Sequence, residues 1–194
     1  MKRVTIVCLT ILMTVCYSNA QVLTWEPDSA KEMLVPVGLC AWEDLKQGDF
    51  FAEMQEFYDK YKPKSDIIGQ IASSLTTLQN DQKAIDFVIY FGAWCGDSKE
   101  HLPAFIKICD ILQEEYQWLL PYSLIACNRE KYHGFENYGE DKLFDKKVEL
   151  VPTFVVFEVQ NSSIYTEIGT IIETPQNSIE EDILQILQNN NTKD

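Results

Sequence analysis

The sequence predicts an α/β fold with a central mixed sheet, and three observations carry that prediction. Residues 85–91, IDFVIYF, form a nearly continuous apolar run bounded by polar residues, the pattern of a strand buried on both faces. Apolar residues before and after it recur at helical spacing, so strands alternate with amphipathic helices. Further on, VPTFVVFEV and residues 164–168 are two strand-like runs separated by QNSS, which reads as an antiparallel hairpin.

The remaining elements follow in order. Residues 21–48 contain Pro27, Pro36, Gly38 and Gly48 without a sustained period, and read as an extended lead-in. From Asp49, taken as a cap, Phe50, Phe51, Met54, Phe57, Tyr58 and Tyr61 mark a helix that Pro63 ends. Ile67, Ile68, Ile71, Leu75 and Leu78 mark a second helix. After the CGDS turn, Leu102, Phe105, Ile106, Cys109 and Leu112 share one helical face, and Pro103 is expected to kink that helix. Residues 122–127 read as a strand and 143–148 as a short helix. A last helix opens on Ser178 and Glu181 as a capping box, with Ile179, Ile183, Ile186 and Leu187 on its apolar face. The chain shows no internal repeat.

Residues 1–20 read as a signal peptide. Lys2 and Arg3 begin it, an apolar run follows over 4–15, and Ser18, Asn19 and Ala20 place cleavage between Ala20 and Gln21. A lipid anchor on Cys16 is set aside, because Val15 stands where a small residue is required. No later stretch is apolar over a bilayer's width, so a protein exported to the periplasm or medium, without membrane insertion after cleavage, is expected. The formal net charge of the 194-residue chain is −14, and removing residues 1–20 makes it more acidic. Such a charge repels nucleic acid and anionic lipid, so both are expected to be poor partners.

The chemistry centres on YFGAWCGDSKEHLP, residues 90–103. A thiol at the first turn of a helix faces unpaired N–H groups and the positive end of the helix dipole, which favour a thiolate nucleophile. Ser98, three residues beyond Cys95, is expected to turn its hydroxyl toward the sulfur, while the Asp97 carboxylate works against a second negative charge. His101 and His133 have no partners at metal-ligand spacing and no phosphate-binding loop appears, so neither metal nor cofactor is expected. The loop 130–141, with Tyr132, His133, Phe135 and Tyr138, is expected near the site, its aromatics pinning the loop or meeting a partner.

A strand ending in WCG, a proline eight residues after the cysteine and a later VPTF leading into a hairpin together resemble the thioredoxin superfamily over 85–187. The resemblance implies a thioredoxin-like three-layer α/β/α sandwich over 83–190, with 21–82 as a lead-in and N-terminal helical extension. It implies a cis Val151–Pro152 bond beside Cys95, with the Val151 backbone pairing to substrate and with Trp94, Gly96 and Asp97 shaping the site. Relatives with dithiol chemistry carry a buried acid six positions before the cysteine and a second thiol three positions after it. Here those positions hold Ile89 and Ser98, so Cys95 acts alone within the motif.

What the resemblance then implies is monothiol exchange with protein disulfides, resolved by a substrate thiol or a small-molecule thiol reductant. Cys127 stands as a candidate internal resolving thiol or as a semi-buried bystander, and Cys109 as a small core residue. A second reading is a binding or adaptor module that has lost redox turnover.

Overall fold

In a computed structural model the described residues are 23–135, 144, 146–161 and 164–191. The expected signal peptide, Cys16, the Ala20–Gln21 junction and Tyr138 lie outside them. Six strands form one mixed sheet. They are β1 (Thr24–Pro27), β2 (Leu34–Cys40), β3 (Lys83–Phe91), β4 (Tyr122–Ala126), β5 (Thr153–Gln160) and β6 (Ile164–Ile172), in the order β1-β2-β4-β3-β5-β6. Only the β3·β4 pair is parallel. Four α-helices accompany them, α1 (Phe51–Lys60), α2 (Ser65–Asn80), α3 (Gly96–Tyr116) and α4 (Ile179–Asn191), with a 3-10 helix at Trp42–Gln47.

The predicted central strand is β3, and the predicted hairpin is β5 and β6, β6 running on to Ile172. The lead-in differs from its expectation, because TWEP and LVPVGLC are strands of the sheet. Up to Val37, β2 pairs with β1, and from Gly38 onward it pairs with β4. Gly38 sits at φ 109, a conformation that L side chains rarely adopt, so glycine permits the strand to change partners there. The stretch before α1 therefore contributes two strands to the sheet.

The two faces of the sheet are packed differently. Alternate residues of β3 point to opposite faces. Phe87, Ile89 and Phe91 share one core with Met54 of α1, Ile71 of α2, Phe105 of α3 and Ile183 of α4. Val88 and Tyr90 face a separate cluster of Ile125, Cys127, Phe135, Val148, Val151 and Val155, to which no helix contributes. Among the described residues all four helices pack on one face, and Phe135, Val148 and Val151, from between β4 and β5, lie on the other. The fold is α/β, built on one six-stranded mixed sheet.

Helix α1 starts after Phe50, and no side chain caps it, so Asp49 does not play the expected role. At α4, Glu181 N–H reaches Ser178 Oγ at 3.4 Å, and the Ser178 hydroxyl in turn donates to the Glu181 carboxylate at 2.9 Å. The short helix expected over 143–148 falls partly outside the described residues, and Phe144 and residues 146–148 are not helical. His133 and Phe135 are buried, their rings within 6.1 Å of each other, and His133 packs on Tyr90. Those two aromatics pin the loop, while Tyr132 stays exposed.

Candidate functional site

The site lies where β3 and β4 end. After Phe91 the chain turns through Gly92, Ala93 and Trp94 so that Cys95 becomes the N-cap residue of α3. Cys95 N–H donates to the Gly92 carbonyl at 2.9 Å, closing the turn. A Cβ on Gly92 would stand 2.6 Å from the Trp94 ring, so the turn requires glycine there. Trp94 lies across the mouth of the sheet, its indole N–H donating to the Cys127 carbonyl at 3.0 Å. The Cys95 carbonyl accepts Lys99 N–H at 3.2 Å, leaving the sulfur to point outward from the helix start.

What the sulfur meets is the loop before β5. The Val151–Pro152 bond is cis, and the Cys95 thiol donates to the Val151 carbonyl at 3.2 Å. Both sides of this loop are fastened: Thr153 Oγ1 donates to the Leu150 carbonyl at 2.7 Å, and Glu173 N–H to the Pro152 carbonyl at 2.7 Å. Trp94 and Cys95, Cys127, and Val151, from three separate stretches of the sequence, meet in one apolar cluster. Pro152 holds its place beside it through the cis bond.

Two expected contributions differ. Ser98 is fully buried, and its Oγ accepts the Gly92 N–H at 3.1 Å, stabilising the turn from within instead of bonding the sulfur. Gly96 has nothing within 4 Å of a built Cβ, so it does not shape the turn sterically; it leaves open space beside Cys95. Asp97 is partly exposed in the first turn of α3, where the helix dipole favours an acid. Ile89 is fully buried in the helix-side core.

The other thiols are placed differently. Burial, with the Asp44 charge behind it, pushes the Cys40 thiol up to about 12, and its sulfur rests 3.8 Å from the Leu124 carbonyl. Burial likewise raises the Cys109 thiol far above its usual value. Cys127 is fully buried, its thiol donating to the Ile125 carbonyl at 3.8 Å. No disulfide joins the four described cysteines. A buried thiol is a poor nucleophile, and Cys95 is the partly exposed thiol at a helix start.

A cluster that no sequence pattern foretold borders Trp94. The Arg129 guanidinium lies 4.9 Å above the Trp94 ring, and Lys131 Nζ lies 5.3 Å from its centre. Arg129 forms a two-point ion pair with Asp28, the second contact at 2.9 Å, and the Asp28 side chain is wholly buried in the β1–β2 turn. Asp28 is held below the usual carboxylate range by that hydrogen bond from Arg129, against the opposing effect of burial. The bonded Asp28 carboxylate, and beyond it the Cys95 sulfur and Glu130, raise the Arg129 guanidinium. The basic residues just after the strand 122–127 were the available signal, but Asp28, about a hundred positions upstream, gave none.

Among the described residues no group of three or more His, Cys, Asp or Glu side chains is placed to hold a metal ion, and no helix is long and apolar enough to cross a membrane. Fold and site together define an α/β protein with a thiol at the N-cap position of a helix, set against a cis-proline loop. No family model matches the chain, and no curated protein matches it. Among solved structures it is similar to a protein of unknown function from Pseudomonas aeruginosa, at 14% identity and a TM-score of 0.46, over 73% of this chain and 85% of that one. It is also similar to an HIV epitope-scaffold, at 15% identity and a TM-score of 0.30, over 69% and 87%. At those scores neither likeness bears on activity.

Proposed function

We propose that the protein is an exported, thioredoxin-like thiol–disulfide exchange protein that uses Cys95 as its nucleophile. The observation that carries this reading is the juxtaposition of Cys95 Sγ with the carbonyl of Val151, the residue before cis-Pro152. A thiol at a helix start beside a fixed backbone edge suits holding an extended chain while its disulfide is attacked. Export rests on residues 1–20 and their cleavage between Ala20 and Gln21.

The thiol first gives up its proton, and with it the bond to the Val151 carbonyl. The Cys95 thiolate then attacks one sulfur of a substrate disulfide. A Cys95–substrate S–S bond forms, the original S–S bond breaks, and the second substrate sulfur leaves as thiolate. When that thiolate attacks another substrate disulfide, the thiolate it frees attacks the substrate sulfur of the mixed disulfide, so a new substrate S–S bond forms, Cys95 leaves as thiolate and the substrate is isomerised without net redox change. When two equivalents of a small-molecule thiol resolve the intermediate, they are oxidised to their disulfide and the substrate is reduced.

One observation favours a second reading, a binding module on the same fold. Val151 is only 2% exposed and its carbonyl is already engaged, so an incoming chain must displace the Cys95 hydrogen bond. Comparing wild type with Cys95→Ser in reduction of insulin disulfides and in refolding of a scrambled disulfide protein decides between them. Exchange by wild type and its loss in the variant are expected. Equal background rates in both would end the exchange reading.

A further inference from the structure

The sequence assigned the support of the Cys95 sulfur to Ser98, but Ser98 is turned inward to Gly92. A cation is held over the turn that carries the sulfur. Arg129 follows β4, stacks on Trp94, the residue next to Cys95, and is fixed by the buried carboxylate of Asp28. Such a guanidinium cannot be deprotonated and is held by a planar two-point contact and an aromatic face. Asp28 is fixed in turn, its Oδ1 accepting Ala30 N–H at 3.1 Å and its N–H donating to the Met33 carbonyl at 2.9 Å. The neighbouring Asn128 reaches Glu26 of β1 at 3.4 Å, so the whole β1–β2 hairpin holds this stretch of chain in place.

We propose that Arg129 is a positioning residue for thiol–disulfide exchange, a fixed cation that stabilises the Cys95 sulfur when it carries negative charge. This inference deepens the proposed function and rests on it for its biological meaning. A monothiol needs such help twice, because Cys95 is a thiolate when it attacks and again when the mixed disulfide is resolved and it departs. The charge interaction between Arg129 and Cys95 agrees with this placement. The charged groups around the pair are Asp28, Glu130 and Lys131 from the hairpin and loop, and Asp97 from the first turn of α3. Asp28 offsets part of the guanidinium charge and fixes its position, while Lys131, whose Nζ donates to the Arg129 carbonyl at 3.0 Å, adds a second cation.

The test is the rate at which neutral iodoacetamide alkylates Cys95, located by mass spectrometry, across pH for wild type, Arg129→Gln and Arg129→Lys. At neutral pH Arg129→Gln is expected to react about three- to tenfold more slowly than wild type, with Arg129→Lys in between. In strong alkali, where the thiol is ionised regardless, the three rates should converge. Equal rates at neutral pH overturn the inference, and so does a slowing of the same size at every pH, which reports only a disturbed structure. Exchange with a neutral aromatic disulfide, measured alongside, separates the two readings. If exchange is present and alkylation is indifferent to Arg129, only this inference falls. If alkylation depends on Arg129 and no exchange occurs, only the proposed function falls.

Discussion

Gly92 donates its N–H to Ser98 Oγ at 3.1 Å, across the turn that carries Cys95. Ser98 is fully buried, so no water replaces the hydroxyl if it is removed. Ser98→Ala is therefore expected to destabilise the protein by about 1–3 kcal/mol, the cost of a buried donor left unpaired. Urea unfolding measures that loss. Because the hydroxyl does not touch the sulfur, alkylation of Cys95 in the folded variant should stay within about twofold of wild type. A large drop in thiol reactivity at unchanged stability would contradict this placement.

Two glycines flank the reactive residue and respond oppositely. Gly92→Ala puts a Cβ 2.6 Å from the Trp94 ring, so the indole must move and give up its bond to the Cys127 carbonyl. A cost of about 1–3 kcal/mol is expected from such overpacking. Gly96→Ala meets open space in the first turn of α3. There, alanine loses less backbone freedom on folding and should stabilise by up to about 1 kcal/mol. Thermal unfolding of the two variants checks both signs, and destabilisation by Gly96→Ala would show that the residue does shape the turn.

Parts of this architecture were legible in sequence for a physical reason. A strand buried on both faces, such as β3, must be apolar throughout, and a cysteine before a helical pattern locates its own N-cap. β1 and β2 were not legible, because TWEP and LVPVGLC carry Pro27, Pro36 and Gly38, residues that ordinarily argue against strands. Periodicity shows that α1 to α4 each have an apolar face, but not which face of the sheet receives them, so their common packing on the Phe87, Ile89 and Phe91 side stayed hidden. Asp28 and Arg129 meet only through the pairing of β2 with β4, a long-range contact that no local pattern announces.

Acid should weaken the protein partly through Glu158. Burial by itself would raise this carboxyl, but hydrogen bonds from Gln160 at 2.7 Å and from Asn190, with Lys83 3.4 Å away, outweigh it and hold the group below its usual value. A depressed folded value means that the stabilisation is complete above the unfolded value of about 4.3 and disappears as pH falls through the lower folded value. The stability difference between wild type and Glu158→Gln should therefore be largest near neutral pH and shrink in that acidic window. Urea midpoints collected from pH 7 downward test it, and a difference that grows on acidification would reverse the sign.

Resolution of the mixed disulfide should come from outside the chain. Cys127 shares an apolar cluster with Cys95, yet it is fully buried and its carbonyl is tied to Trp94, so its sulfur has no open path to a substrate-linked Cys95. Cys109 lies in the helix-side core, and the Cys40 thiol is pushed up to about 12 by burial, with the Asp44 charge behind it. A thiolate must form and approach in line with the S–S bond, and none of the three meets both requirements. Cys127→Ser is expected to leave both the formation and the thiol-dependent release of a Cys95 mixed disulfide unchanged. Mass spectrometry of the non-reduced protein after brief exposure to a limiting disulfide reads this directly. An internal Cys95–Cys127 bridge, absent in Cys127→Ser and accompanied by slower release, would instead make Cys127 the resolving thiol and require the Trp94 turn to open during each cycle.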